Sequence, residues 1–158
     1  MQVNMETFKK NIIALSDIDG EKARKRYIET FVDTKGDFYK TYIQEKHKYI
    51  DGYCYTGYLW DVLLSKIVVS EEYIKKIAEK VNNIYVFWDI YSCERILIED
   101  YWKFEKSNVL KMDILTLTLG LDYLPEDIYI FDEKYEWSFI LTHEYIDDNR
   151  YCLLCGDI

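Results

Sequence analysis

The sequence predicts a single α+β domain, residues 1–158, in which helices mainly from the first half pack on an antiparallel sheet. Three observations predict it: apolar residues recur with helical spacing in the first half, the spacing then becomes that of strands, and short polar turns separate the last strands. Runs of helix followed by runs of strand are typical of the α+β class. A length of 158 residues, 49% of them hydrophobic and 31% charged, suits one globular domain.

The first predicted helix covers residues 21–32. Ala23, Tyr27 and Phe31 recur every four residues and form one apolar face. Asp19 is the expected N-cap, because a carboxylate there can accept a backbone N–H of the first turn. The basic residues of this helix are expected mostly on its outer, solvated face. They are Lys22, Arg24, Lys25 and Arg26.

The second predicted helix covers residues 71–81 and has the clearest pattern in the sequence. Ser70 is the expected N-cap, and the two glutamates that follow it suit the positive end of the helix dipole. The buried face of this helix is expected to consist of four apolar residues. They are Tyr73, Ile74, Ile77 and Val81.

Strands are predicted in the middle of the chain, apart from one ambiguous segment. The run 84–89 is apolar on both faces, which is typical of an interior strand. A turn is expected over 92–94, and 95–102 is the expected partner strand. Residues 107–121 combine an alternating leucine pattern with a helical one, and we predict a helix over 108–118.

The last third predicts an antiparallel meander. Its strands are expected over 128–132, 137–144 and 150–155, and polar turns over 133–136 and 147–149 connect them.

The negative charge of the protein is unevenly distributed. The net charge is −9, and it divides into +2 for residues 1–50, −4 for 51–100 and −7 for 101–158. An acidic surface repels the nucleic-acid backbone and attracts basic partners. We therefore expect a protein partner and no nucleic acid.

Composition also predicts the cellular location of the protein. No segment approaches the roughly 20 apolar residues that a membrane span requires, so no membrane association is expected. The apolar patch Ile12 to Leu15 is too short for the core of a signal peptide. A cytoplasmic protein is expected, with its four cysteines as reduced thiols.

A zinc site is the first chemical candidate. Cys152 and Cys155 have C-x₂-C spacing, and His143 would face them across a hairpin. No second pair of ligands with zinc-site spacing occurs, and residues three apart in a strand point to opposite faces. We therefore expect two small buried hydrophobic side chains and no cofactor. A small metal-binding protein or enzyme that uses His143, Cys152 and Cys155 is kept as an alternative.

A catalytic role for His143 and Glu144 is the second candidate. The sequence contains no nucleophile elbow, P-loop, dinucleotide fingerprint or HExxH motif. In a strand the two neighbours face opposite ways. Trp137, Phe139 and Leu141 are expected to share one face, and His143 is expected to continue it at its polar end. We predict a structural histidine, no catalytic residue and no enzyme.

An aromatic and acidic segment, Tyr49 to Trp60, is the third candidate. Its rings and carboxylates could stack a sugar or another small ligand, pack in the core, or serve as rigid contact area at an interface. The glycines make the segment loop-like, which favours exposure of the tyrosine hydroxyls. A small-ligand or sugar binder is therefore kept as another alternative.

The segment EDIYIFDEKYEWSFILTHE, residues 126–144, resembles the closing segment of a family of small bacterial proteins, domain-of-unknown-function family 4275. GYLW at 57–60, and IYVFWD with ERILIED within 84–100, are similar to its middle segment. Related acidic segments also occur in small immunity proteins, which neutralise secreted or contact-delivered toxins. The resemblance covers about residues 57–150. It implies no catalytic residue, because the family has no established activity to transfer.

These observations together predict an acidic protein-interaction domain, and specifically an immunity protein that binds and occludes a basic toxin domain. Attraction between opposite charges would accelerate the encounter, and aromatic anchors would slow dissociation. The predicted contacts are acidic residues at turns and three tyrosines. They are Glu126, Asp127, Asp132, Glu133, Asp147, Asp148, Tyr53, Tyr55 and Tyr58.

Overall fold

A seven-stranded antiparallel sheet organises the protein. The structure is a computed structural model that describes residues 3–44, 47–49, 52–54, 57–89 and 107–158. The strands of this sheet are β1 (Ile13–Ala14), β4 (Ile67–Val69), β5 (Asn83–Phe87), β6 (Leu110–Asp113), β7 (Ile128–Phe131), β8 (Trp137–Ile146) and β9 (Asn149–Gly156). They lie in the order β1-β6-β5-β7-β8-β9-β4. Two further strands, β2 (His47–Tyr49) and β3 (Gly52–Cys54), pair with each other.

Helices cover both faces of the sheet. The α-helices are α1 (Met5–Lys10), α2 (Asp17–Phe31), α3 (Tyr73–Lys80) and α4 (Ile114–Leu119). Helices α1, α3 and α4 pack on one side, which we call the first face. Helix α2 packs on the second face, together with a π-helical segment, Tyr39–Gln44, and a 3-10 helix, Leu59–Val62. A further 3-10 turn, Leu121–Tyr123, follows α4. This layered α+β architecture, with most helices N-terminal, confirms the predicted fold class.

Helix α2 confirms the first predicted helix but begins earlier. Ser16 is its N-cap, because the Ser16 hydroxyl accepts the backbone N–H of Asp19 at 3.1 Å. The prediction of Asp19 as the cap was therefore wrong: Asp19 lies within the first turn, where its carboxylate suits the positive helix end. Tyr27 and Phe31 are buried on the sheet as predicted.

Helix α3 confirms the second predicted helix over a shorter range. Ile74 and Ile77 are buried, with Tyr73 packed beside them, so the predicted apolar face is confirmed. Ser70 is not the cap. The backbone carbonyl of Ser70 accepts the N–H of Tyr73 at 3.0 Å, and the turn that this bond closes precedes the first helical residue.

The predicted helix over residues 108–118 was wrong in its first half. Leu110–Asp113 is strand β6, which lies between β1 and β5, and only Ile114–Leu119 is helical. The carboxylate of Asp113 accepts the N–H of Thr116 at 2.7 Å and caps the helix. Pairing on both sides of β6 satisfies backbone groups that a helix would have satisfied locally.

The predicted meander is confirmed, since β7, β8 and β9 are consecutive neighbours in the sheet. Strand β5 lies between β6 and β7, as its apolar composition predicted. Asp147 and Asp148 form a two-residue hairpin loop and have φ of 51° and 65°. Positive φ at both positions is the property of a type I′ turn, which favours Asp and Asn. The turn and strand predicted over 92–94 and 95–102 lie outside the described residues.

In the part of the chain that the structure describes, no helix has the length and apolar character to cross a bilayer.

Candidate functional site

A buried carboxylate, Asp89, anchors the Leu59–Val62 helix to the second face. Asp89 lies two residues after the end of β5 and is 4% exposed. One carboxylate oxygen accepts the N–H of Leu59 at 3.1 Å, and the other accepts the hydroxyl of Tyr129 at 2.7 Å. The Tyr129 hydroxyl in turn accepts the N–H of Trp60 at 3.1 Å. Two backbone donors at the start of this helix are thereby satisfied by side chains of the sheet.

The environment of Asp89 makes it a weak acid. Burial raises the pKa of Asp89 to about 7, and the hydrogen bonds from Tyr129 and Leu59 oppose that rise. Asp127 raises this pKa further by repulsion, while Arg24 lowers it by attraction. The carboxyl group therefore titrates near neutral pH inside the protein.

Arg24 supplies the positive charge near Asp89, although its segment was predicted to be mostly solvated. It is 8% exposed, and its Nη1 donates to the carbonyl of Trp88 at 2.6 Å. Its guanidinium lies 4.3 Å from the ring centroid of Phe87. The other three basic residues of the run are exposed, as predicted. Arg24 thus differs from its neighbours because the sheet lies directly beneath it.

Asp127, predicted as a partner contact, points into the protein. Its carboxylate accepts the indole N–H of Trp60 at 3.1 Å and the backbone N–H of His143 at 3.0 Å. It also accepts a hydrogen bond from Nδ1 of His143 at 2.9 Å. The side chain of Asp127 is 12% exposed and that of His143 is 28% exposed. Burial raises the pKa of Asp127, against the lowering effect of its bonds to His143.

A bulge in β8 brings His143 to this position. Strand β8 pairs regularly with β9 up to Leu141 and again at Tyr145, so that three residues of β8 face one of β9. The ring of His143 consequently lies on the second face, with centroids 5.3 Å from Tyr58 and 6.2 Å from Trp60. The prediction that His143 continues the face of Leu141 was wrong, because the bulge interrupts the alternation of side chains.

The proximity of Asp127 to His143 is predictable from the spacing of strands β7 and β8 in the sequence. The register of the β7–β8 hairpin places Ile128 opposite Leu141, so Asp127 falls opposite the residue before His143. A hairpin centred on the predicted turn at 133–136 implies the same register. The hydrogen bond between the Asp127 carboxylate and Nδ1 fixes the orientation of the His143 ring, as carboxylates do for histidines in many sites. In this structure the pair links β8 to Trp60.

Cys152 and Cys155 are not brought to one site. Both are buried, Cys152 within the cluster of the first face and Cys155 within that of the second, as the strand geometry predicted. Burial raises the pKa of each thiol to about 11. Among the described residues, no three His, Cys, Asp or Glu side chains are placed to hold a metal ion. The ligand set proposed as an alternative is therefore not assembled here.

The aromatic segment is partly core. Trp60 and Leu59 are buried, and the half-buried ring of Tyr58 stacks on Trp60 with centroids 5.3 Å apart. Tyr55 and the side chain of Tyr53 lie outside the described residues. Packing on the sheet accounts for the described part of this segment, and the hypothesis of a sugar or small-ligand site stays untested.

The predicted acidic contacts divide between the two ends of β8. Asp132 and Glu133 lie in the turn before β8, and Asp147 and Asp148 lie in the turn after it. Ten residues of extended strand separate these turns by about 30 Å. Glu126 is exposed near the second turn, where its carbonyl accepts Nη2 of Arg150 at 2.5 Å. A small partner would contact one of the two turns, and not both.

The end with Asp147 and Asp148 also carries exposed apolar side chains. An open cleft of about 620 Å³ lies there, between residues 68–72 and the hairpin tip at residues 145–151. We call it the hairpin cleft. Three large side chains on its walls are mostly exposed: Val68 at 65%, Tyr145 at 62% and Ile146 at 56%. Sequence reasoning did not find this surface, because it is formed by strands far apart in the chain.

A scan against protein-family models found no match, and neither a search of characterised proteins nor a search of solved structures found one. The resemblance to family 4275 and to acidic immunity proteins therefore stays a prediction.

Proposed function

We propose that the protein is an acidic protein-interaction domain that binds a basic partner at the hairpin cleft, and that it acts as an immunity protein by occluding a toxin. The observation that carries the proposal is the combination of exposed apolar side chains and carboxylates on one surface. Asp147 and Asp148 are two of the contacts predicted from the sequence, and Val68, Tyr145 and Ile146 are the apolar residues on the same surface.

The apolar residues would supply much of the binding free energy. Covering a side chain such as Val68 or Ile146 removes apolar area from water, which contributes about 1.5–3 kcal/mol for a fully buried aliphatic residue. Tyr145 brings a large rigid ring with a polar end, the type of side chain that is enriched in binding hot spots. Contiguous apolar patches on a soluble protein often mark an interface.

The charges of the cleft favour a basic partner. Its walls contain four carboxylates, Glu71, Glu72, Asp147 and Asp148, and one guanidinium, Arg150, which leaves a net charge of −3. Two of the carboxylates lie beside cations, since Nη1 of Arg150 lies 3.7 Å from Glu71 and Nζ of Lys75 lies 2.6 Å from Glu72. The acidic charge offered to a partner is therefore mainly that of Asp147 and Asp148 at the hairpin tip. Such a field accelerates the encounter with a positively charged surface.

The immunity role extends this binding to a biological effect. A toxin that acts on nucleic acid needs a basic active site, and an acidic protein seated over that site excludes the substrate. The support for this step is the charge of the protein together with the sequence resemblance to acidic immunity proteins. This mechanism requires no catalytic residue in the protein, because covering the active site of the toxin is sufficient to inhibit it.

Neutralising the two acidic turns separately tests the binding surface. Asp147→Asn with Asp148→Asn removes two charges from the hairpin cleft, and asparagine tolerates the positive φ of that turn. Asp132→Asn with Glu133→Gln is the matched control at the opposite end of β8. A partner is captured from cells of the source organism, identified, and titrated calorimetrically against all three proteins. We expect affinity to fall about tenfold or more for the first variant and less than about twofold for the second.

Two results would contradict the binding proposal: equal affinity for all three proteins, or a larger loss in the control variant. The immunity role has its own test. The identified partner is expressed alone and together with this protein, and growth is measured. Arrest by the partner alone and recovery on co-expression are expected. If expression of the partner alone does not arrest growth, the immunity role is wrong, and the binding proposal is unaffected.

A further inference from the structure

Strand β4 is a short outer strand whose own residues are all apolar. It pairs with β9 through Ile67 opposite Leu154 and Val69 opposite Cys152, and no other described strand pairs with its second edge. An outer strand presents backbone N–H and C=O groups to which another chain can add a strand. Proteins usually protect such edges with short length, charged side chains, proline or a bulge. β4 has only three residues and follows Lys66, but its own residues include no charge or proline.

Both faces of β4 are apolar and exposed. Ile67 is 59% exposed and Val68 is 65% exposed, and as neighbours in a strand they lie on opposite faces. Leu64, just before the strand, is 61% exposed. β-branched residues also favour the extended conformation in which the edge is open to pairing. A strand added to β4 would place its alternate side chains beside Ile67 on one face and Val68 on the other.

Charge identifies the occupant of this edge. Val68 also lines the hairpin cleft, whose walls include Asp147 and Asp148, so the β4 edge adjoins an acidic surface. A second copy of this protein would bring its own cleft of net charge −3, and a total charge of −9, against the first. A basic segment would instead gain from the same carboxylates.

We propose that the partner binds by β-strand addition: an extended segment with alternating apolar residues pairs with the free edge of β4, and its Lys or Arg side chains contact Asp147 and Asp148. This inference rests on the proposed function, because it specifies how the basic partner occupies that surface. Backbone pairing would provide affinity, and the apolar and acidic side chains would provide selectivity.

A random peptide library displayed on phage tests this mode without the natural partner. Immobilised protein is expected to enrich peptides in which apolar residues alternate and Lys or Arg is present. The enriched peptides should bind Ile67→Lys with Val68→Lys at least about tenfold more weakly than the unaltered protein. Ile13→Lys is the matched control, because Ile13 lies in β1 at the opposite edge and is 64% exposed. This control should bind as the unaltered protein does.

A second variant distinguishes loss of the binding surface from misfolding of the lysine variant. Ile67→Thr with Val68→Thr keeps two β-branched residues and removes apolar area, so it should fold and bind with intermediate affinity. Hydrogen exchange then distinguishes strand pairing from side-chain contact alone. In the peptide complex the backbone amides of β4 that point away from β9 should exchange at least about tenfold more slowly than in the free protein.

The outcomes separate this inference from the proposed function. A library that yields no peptide dependent on Ile67 and Val68, or peptides that bind without slowing exchange in β4, would overturn strand addition. If the captured partner still depends on Asp147 and Asp148, the interaction function stands with another binding mode. Self-association of the unaltered protein through β4, seen by sedimentation and abolished by the lysine variant, would overturn the choice of a basic occupant.

Discussion

Asp89 is 4% exposed and accepts two hydrogen bonds that hold the Leu59–Val62 helix in place. Its ordinary pKa is 3.8, and burial raises the pKa in the folded protein to about 7. Between these values the folded protein keeps a proton that the unfolded chain has lost. The free energy of unfolding therefore decreases as the pH rises through this interval, by up to about 1.4 kcal/mol per pH unit, and levels off above it.

The variant Asp89→Asn should lose this dependence, because the amide has no charge to desolvate. Urea unfolding of both proteins at several pH values between about 4 and 8 measures the effect. The stability of the unaltered protein relative to the variant should fall steadily up to about pH 7. Parallel curves for the two proteins would show that Asp89 does not titrate differently on folding.

Asp127 and Glu126 are neighbours with opposite environments, which makes them a matched pair. Asp127→Ala removes the acceptor for Trp60 and His143, and we expect it to lower the free energy of unfolding by about 2–3 kcal/mol. Glu126→Ala should change it by less than about 0.5 kcal/mol, because that side chain is exposed. Urea unfolding at neutral pH compares them. Equal losses would contradict the inward position of Asp127.

Two glycines test the packing of the helices at the scale of elements. Gly120 ends α4, and a Cβ added there would lie 2.2 Å from ring atoms of Phe8, which is fully buried. A Cβ at Gly20 within α2 would make only ordinary contacts, the nearest at 3.7 Å from Val109. The close approach of α1 to α4 therefore depends on Gly120, whereas α2 has room for a methyl group.

Gly120→Ala should lower the free energy of unfolding by about 2 kcal/mol or more, since the buried Phe8 ring must shift. Gly20→Ala should raise it by about 0.5–1 kcal/mol, because alanine restricts the unfolded chain and favours the helix. Thermal unfolding followed by circular dichroism distinguishes the two. A stabilised Gly120→Ala variant would contradict the packing of α1 on α4.

The elements that sequence patterns predict well are those with local causes. The spacing of Tyr27 and Phe31 and the turn at Asp147 and Asp148 depend on residues close together in the chain, and both predictions were confirmed. Strand β6 was missed because its neighbours in the sheet, β1 and β5, come from distant segments. Their pairing outweighs the helical pattern of residues 108–118.

At the scale of the whole molecule, the net charge of −9 affects both stability and binding. Raising sodium chloride from about 0.05 M to 0.5 M screens repulsion among the carboxylates, so the melting temperature of the free protein should rise.

The same increase in sodium chloride should slow association with a basic partner about tenfold or more and alter dissociation much less. Stopped-flow kinetics measures both rates, with sucrose of equal osmolality as the control. A salt-independent association rate would contradict electrostatic attraction of the partner.

The sequence by itself determined the α+β class, the helix faces, the meander and the opposite directions of Cys152 and Cys155, because each follows from the period of a single element. The tertiary structure decided the rest. Burial of Asp89 and the exposed edge of β4 depend on which distant strands become neighbours, and the contact of His143 with Asp127 depends on the bulge in β8. The order of distant strands, the bulge and desolvation are set by the assembled sheet, and no local pattern encodes them.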